Sequence, residues 1–284
     1  MARQATVQGL RRRNRAAVLR TIVIAGSTTR AAIAAECELS LSTVTNVVAD
    51  LMRAGLVREA GSVPSDGGRP TTRVGPVAAG ASMIGVGVGE QAVTVELFDL
   101  GLRKLDGVIR ELPRAREQLT PQRVAWVVSE AVGAVRAANP DWERSLLGIG
   151  LGLPGIVDAS PDGRVTLFAQ TLGWEPILAA QLCGGVDVPV FADNGATTLA
   201  MAELWFGAAR GVRHSVVALV GRGIGAGVIN NGRLLRGLSS SAGEWGTPRS
   251  PWVVPPASAA APAAWKPMPA AARWRGAGSG RARG

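Results

Sequence analysis

Thr28–Gly55, TTRAAIAAECELSLSTVTNVVADLMRAG, decides how the first part of the chain folds. The spacing predicts two short helices joined by a tight turn. The first runs from about Thr29 to Cys37, with Ala32, Ile33 and Ala35 on one face. Glu38-Leu39-Ser40 makes the turn, and Ser40 suits an N-cap because its hydroxyl accepts from a free backbone N–H of the next turn. The second helix runs to Ala54, and Gly55 stops it. Val44, Val47, Val48 and Leu51 recur at helical spacing and predict a core stripe.

The opposite face offers Ser42, Thr43, Thr45, Asn46 and Arg53, with Asp50 as its single acid. Short polar side chains and one cation can enter a major groove, where Ser, Thr and Asn hydrogen-bond base edges. An ordinary helical hairpin with a solvated face is the alternative. Residues 56–74 favour DNA reading. Leu56–Glu59 predicts a strand, residues 61–68 a turn-rich loop, and Arg69–Val74 a returning strand. A hairpin after a helix pair is the wing of a winged domain, and Arg58, Arg69 and Arg73 are expected against the phosphate backbone.

Charge is unevenly placed along the 284 residues. Residues 1–73 carry 11 basic and 5 acidic side chains, residues 74–246 carry 14 and 16, and residues 247–284 carry 6 and none. The first excess, with Arg11, Arg12, Arg13, Arg15 and Arg20 ahead of the helix pair, is the electrostatic footprint expected of a nucleic-acid reader. Leu10–Ala25 predicts a first helix with Ala16, Val18, Leu19, Ile22 and Val23 inward. No segment is apolar for the roughly 20 residues that a membrane span needs. Cys37 and Cys183 lie far apart, which fits buried thiols in a reducing compartment and a cytoplasmic protein.

Residues 75–82 are the expected linker. A new pattern then begins: β-prone runs at Met83–Gly89 and Ala92–Asp99, a strand near Val108–Leu112, and an amphipathic helix over Thr120–Ala138. Buried strands are expected at Leu146–Leu153, Val188–Ala192 and Ser215–Val220, with a helix over Gly195–Phe206 after the second. Gly221-Arg-Gly-Ile-Gly-Ala-Gly227 reads as a glycine loop, and Val228–Leu235 as a hairpin closed by Asn231-Gly232. Alternating strands and helices predict an α/β domain with its sites at the strand ends.

The order of motifs is specific. A winged helix, GGRP at 67–70, GLPG at Gly152–Gly155, ADNGA at Ala192–Ala196, a helix ending AELWFG, GIGAG at 223–227 and GEWG at 243–246 together resemble the ROK family. That family joins sugar-responsive repressors and sugar kinases. The resemblance covers about residues 10–246. It implies an α+β winged helix-turn-helix domain (10–74) followed by an α/β actin-like ATPase, ribonuclease-H-like domain (83–246) whose second lobe is incomplete. The winged helix places the chain with the repressors, which implies a double-stranded DNA operator, a sugar or sugar-derivative effector, and a homodimer or higher oligomer.

A ROK kinase needs an Asp on the first strand for the nucleotide-bound metal, a Gly/Thr phosphate loop, and an Asp base after an Asn. Here that strand reads Gly85-Val-Gly87-Val-Gly89-Glu90, with glycine where the Asp would stand. The loop keeps Gly223, Gly225 and Gly227 but has Arg222 in place of Thr. Gly195 aligns with the base, while a one-residue slip would put Asp193 there. The resemblance therefore implies a domain with no catalytic residues. Its sugar-contacting positions carry over as Pro154, Gly155, Asn194 and Glu244, where the plain alternatives are a turn, a helix cap and a solvated end. Asp158 and Asp193 read as structural, and His214, the single histidine, as surface. The rivals are a sugar kinase and a fragment with neither activity.

After Gly246 the composition changes. Residues 247–284 hold seven prolines, three tryptophans and no acid, and the tail is expected to be disordered. The family continues at this point with a His and a C-x-C-G-x-x-G-C-L-E zinc motif. No cofactor is expected in this chain, although zinc is expected in an intact relative. A frame offset by one base permits His at Gly246-Thr247 and Cys at Pro256-Ala257, Ser258-Ala259 and Ala263-Ala264. It permits Leu at Ala264-Trp265 and requires Glu at Trp265-Lys266. The expectation is a frameshift near Gly246 that leaves Leu219, Val228 and Ile229 uncovered. The alternative is a genuine basic tail that binds DNA nonspecifically.

Overall fold

The computed structural model describes residues 7–63, 71–160, 163–169, 172–221, 224–237, 240 and 242–243. All of these belong to one compact unit within Met1–Gly246. The expectations for residues 64–70, Glu244 and the tail lie outside the described residues.

The N-terminal part begins with α1 (Val7–Ala25), followed by the two-residue strand β1 (Thr28–Thr29), α2 (Arg30–Cys37) and α3 (Leu41–Arg53). Thr29 caps α2, its side chain accepting from the Ala32 N–H. Glu38 ends α2 in the left-handed region at φ 54°, an unusual conformation for a residue with a Cβ. Ser40 caps α3 by accepting from Thr43 N–H at 3.2 Å. Val18 and Ile22 of α1, Ile33 of α2, and Val44, Val48 and Leu51 of α3 are fully buried together. Each such side chain contributes about 1.5–3 kcal/mol relative to exposure. Ala16 is exposed instead of inward, because two residues before Val18 it falls on the far side of the helix from the Val18–Ile22 stripe.

Strands β2 (Val57–Val63) and β3 (Thr71–Pro76) form an antiparallel hairpin, and β1 adds to it in the order β1-β3-β2. β2 extends past the predicted Glu59 because a register shift between Glu59 and Ser62 absorbs Gly61. The expected free linker is pinned on both sides. The Val77 N–H donates to Leu56 O at 2.9 Å, and Leu100 N–H donates to Ala78 O at 3.1 Å. Gly80 rests on the Gly55 carbonyl, where a side chain would not fit.

The α/β part is built on a five-stranded sheet in the order β11-β7-β4-β5-β6. Its members are β4 (Ser82–Val88), β5 (Ala92–Asp99), β6 (Lys104–Glu111), β7 (Leu146–Leu153) and β11 (Val190–Asn194). The β4–β7 and β7–β11 pairs are parallel, and the others are antiparallel. α4 (Pro121–Ala138), capped by Thr120, lays Val124, Val127, Val128, Ala131, Val132 and Val135 onto the sheet. A one-turn helix, α5 (Pro140–Glu143), leads into β7. Ser82 is buried at the start of β4, donating to Trp142 O at 3.0 Å, so its burial leaves no unmet hydroxyl.

Three short strands form a second small sheet: β8 (Ile156–Ala159), β9 (Val165–Phe168) and β10 (Ile177–Leu178). The chain then passes through β11 to α6 (Gly195–Phe206) and a third sheet of β12 (His214–Val220), β13 (Ile224–Asn230) and β14 (Arg233–Leu235). His214 is exposed at the start of β12. Ile229, expected to be uncovered, is 2% exposed on β13, while Leu219 is 45% exposed on the edge strand β12. Among the described residues no helix is long and apolar enough to cross a membrane.

Candidate functional site

α3 presents a stripe to solvent. Ser42, Thr45, Asn46, Ala49 and Arg53 are exposed, Thr43 is half-buried, and Val44, Val48 and Leu51 point the other way. The hydroxyls at the helix start form a chain, with Ser40 Oγ 3.0 Å from Ser42 Oγ and 2.8 Å from Thr43 Oγ1. The Thr45 hydroxyl donates to Leu41 O at 2.8 Å, which leaves its lone pairs facing outward. Arg53 pairs with Asp50 across one turn. Exposed pairs of this kind are worth about 0–1 kcal/mol, so a phosphate can draw Arg53 away at little cost. Arg58 is exposed on β2.

Arg73 is engaged differently from its expected outward role. Its guanidinium donates to Ser27 Oγ from Nε at 3.1 Å and from Nη2 at 2.9 Å. It fastens β3 to the turn between α1 and β1, and sequence spacing could not show a partner 46 residues away. Arg69 lies outside the described residues.

The second group of expected residues gathers at the carboxyl ends of parallel strands β7 and β11, where α/β sheets open their clefts. In register, Asn194 sits opposite Leu153, immediately before Pro154-Gly155. Gly155 takes φ +92°, and a Cβ there would lie 2.5 Å from Phe168 O, so only glycine fits this turn. Asn194 Nδ2 donates to Gly155 O at 2.8 Å. Its Oδ1 accepts from the Ala196 and Thr197 N–H groups at 2.8 and 3.1 Å, which caps α6. Pro154, Gly155 and Asn194 are thus brought together, but the Asn194 amide is committed to the helix and the turn. Asp193 Oδ1 accepts from Asn194 N–H at 2.9 Å, and Oδ2 pairs with Arg236 at 2.6 Å, which agrees with a structural role. Glu244 lies outside the described residues.

The glycine run is not a loop throughout. Gly225 and Gly227 lie within β13, paired with Leu219 and Val217. A Cβ on Gly225 would stand 2.9 Å from the Ala196 Cβ, and one on Gly227 would stand 3.0 Å from Ala196 O and collide with the Ala200 Cβ. Close packing of α6 on the strand accounts for these two glycines. Gly223 and Arg222 lie outside the described residues. β4 carries glycine at 85 and 87 and no carboxylate.

Among the described residues no three His, Cys, Asp or Glu side chains gather as a metal site. Cys37 lies on α2 near Thr21 Oγ1, at 3.4 Å, and Cys183 is buried under α4. Burial pushes the Cys183 thiol up from its ordinary pKa, against a smaller pull from Arg136. The described residues do not fit a zinc site.

The sequence profile of the ROK family matches residues 83–251. The chain belongs to the ROK family. It is 30% identical over 236 residues to the DNA-binding transcriptional dual regulator NagC of Escherichia coli (strain K12), covering 82% of this chain and 56% of that protein. It is 32% identical over 236 residues to the xylose repressor of Bacillus spizizenii, covering 82% and 59%. A crystal structure of a ROK family transcriptional regulator, a homolog of the E. coli MLC protein, matches with a TM-score of 0.60 at 24% identity. That match covers 83% of this chain and 58% of the other. This ROK chain therefore spans a little over half the length of the relatives it matches.

Proposed function

We propose that this ROK chain is a DNA-binding transcriptional regulator of sugar genes. In this reading α1–α3 and the β2–β3 hairpin form a winged helix-turn-helix, and two copies place α3 in successive major grooves of a near-palindromic operator. The observation that carries it is the stripe on α3. Ser42, Thr45, Asn46 and Arg53 face solvent at helical spacing while the opposite face is locked into the core. The names of the relatives, a transcriptional regulator and a xylose repressor, support the same reading.

The α/β part is then the effector domain, of actin-like ATPase type. The carboxyl ends of β7 and β11 are its sugar site, with the Pro154-Gly155 turn beside Asn194. A kinase reaction has little to work with there. β4 offers no carboxylate for a nucleotide-bound metal, Gly195 cannot take a proton from a sugar hydroxyl, and Gly225 and Gly227 serve packing. Repression with sugar as inducer follows, with no phosphate transferred.

Fluorescence anisotropy on operator fragments tests the DNA reading. Asn46→Ala is expected to lose about 1–3 kcal/mol on the cognate site and little on random DNA. Arg58→Ala is expected to weaken both alike and to lower the salt slope by about one. Equal binding of cognate and random DNA by wild type and Asn46→Ala would remove α3 as the reader.

A further inference from the structure

A cleft of about 890 Å³ separates the N-terminal helices from the α6 end of the α/β part. Its charge is one-sided. Arg20 of α1 lines one wall, and Arg210, Arg213, Arg233 and Arg236 line the other, against a single acid, Glu36 of α2. Composition does not explain this, because residues 74–246 carry more acidic than basic side chains.

The five guanidiniums are engaged to different degrees. Arg236 is neutralised by Asp193 at 2.6 Å. Arg213 donates only to the neutral Asn231 Oδ1, at 3.1 Å. Arg20 lies over the Trp205 ring at 5.7 Å, so an aromatic face is also present in the cleft. The guanidiniums of Arg210 and Arg233 make no hydrogen bond or ion pair with any described residue, although their backbones are held at Gly207 O and in the β13–β14 ladder. Like charges gathered in a concave site repel one another and focus a positive potential. Guanidinium forks match phosphate oxygens in pairs, and more than one of them favours a dianion over a monoanion.

We propose that this cleft is a binding site for a small phosphate-bearing organic anion. Arg210, Arg213 and Arg233 hold the phosphate, and Trp205 takes the carbon framework. The lining of the cleft includes none of Pro154, Gly155 and Asn194. Its two walls belong to α1–α2 and to α6 with the β12–β14 sheet, so an occupant touches both parts at once.

The test is titration calorimetry of the full chain with inorganic pyrophosphate at low ionic strength, without DNA. The expected result is saturable binding with one site per chain. Arg210→Ala/Arg233→Ala should weaken it at least tenfold, while the exposed pair Arg116→Ala/Arg144→Ala should leave it within twofold. Both double variants remove two positive charges from exposed positions, and urea midpoints check that each folds. No saturable binding, binding retained in the cleft variant, or equal loss in both variants would each overturn the proposal. Because no DNA is present, none of these results depends on how α3 is read.

Discussion

Replacing Asn194 separates the two tasks its amide performs. In Asn194→Ala the two cap bonds to Ala196 and Thr197 N–H disappear, and so does the 2.8 Å bond to Gly155 O. Losing an N-cap costs about 1–2 kcal/mol, and losing a hydrogen bond of this type about 0.5–1.5 kcal/mol. The expected total is about 1.5–3.5 kcal/mol by those two principles. Asn194→Asp keeps an acceptor for the cap and gains about 0.5 kcal/mol from the helix dipole. It also turns an oxygen toward Gly155 O, so its net loss is about 1 kcal/mol. Urea unfolding, followed by tryptophan fluorescence and circular dichroism, reads both. With a slope of about 2–3 kcal/mol per molar, the Ala variant moves the midpoint down by about 1 M and the Asp variant by less than half of that. Equal shifts in the two variants would mean that the cap contributes nothing. Midpoints within about 0.2 M of wild type in both would refute the assignment of Asn194 to the turn and the helix.

Other substitutions probe other parts of the argument. Gly227→Ala forces α6 off β13 and should cost about 1–3 kcal/mol by overpacking, seen in the same urea experiment; a neutral result would return the glycine run to the phosphate-loop reading. Glu38→Gly relieves a left-handed residue at the turn before α3 and should stabilise by about 0.5–1 kcal/mol, raising the melting temperature. Two carboxylates contribute to the acid limb of stability. Asp106 is held below its ordinary pKa first by the Asn139 amide and then by the Gly107 N–H, and Glu130 is held below its own by the Arg110 hydrogen bond. Their contribution is present above the ordinary carboxylate range and is lost as pH falls through the lowered values. The urea midpoint should therefore drop as pH falls below the ordinary carboxylate range, and Asn139→Ala should flatten that drop.

Signals that act within a few residues were legible in the sequence. The boundaries of α3 follow from the cap at Ser40 and from its apolar stripe. Short strands were not legible: β8, β9 and β10 are two to four residues long and carry no sustained alternation. The glycine run misled for a physical reason. Glycine marks a loop when the backbone must turn, but it also marks a strand on which a helix lies very close, and only the α6–β13 contact distinguishes these at Gly225 and Gly227. Arg73 and Asn194 show the same limit. The chemistry of each suits a ligand, while their partners, Ser27 and Gly155, lie tens of residues away in sequence.

The pinned segment between β3 and β4 has a mechanical consequence. Hydrogen-bonded to Leu56 on one side and to Leu100 on the other, it behaves as a bracket and not as a hinge. Helix α3 is then tied through this segment to the α/β sheet. In a two-fold assembly, the spacing between reading heads would be set by the sheet to which each bracket is bolted, and half-site separation would become a property of the α/β domain.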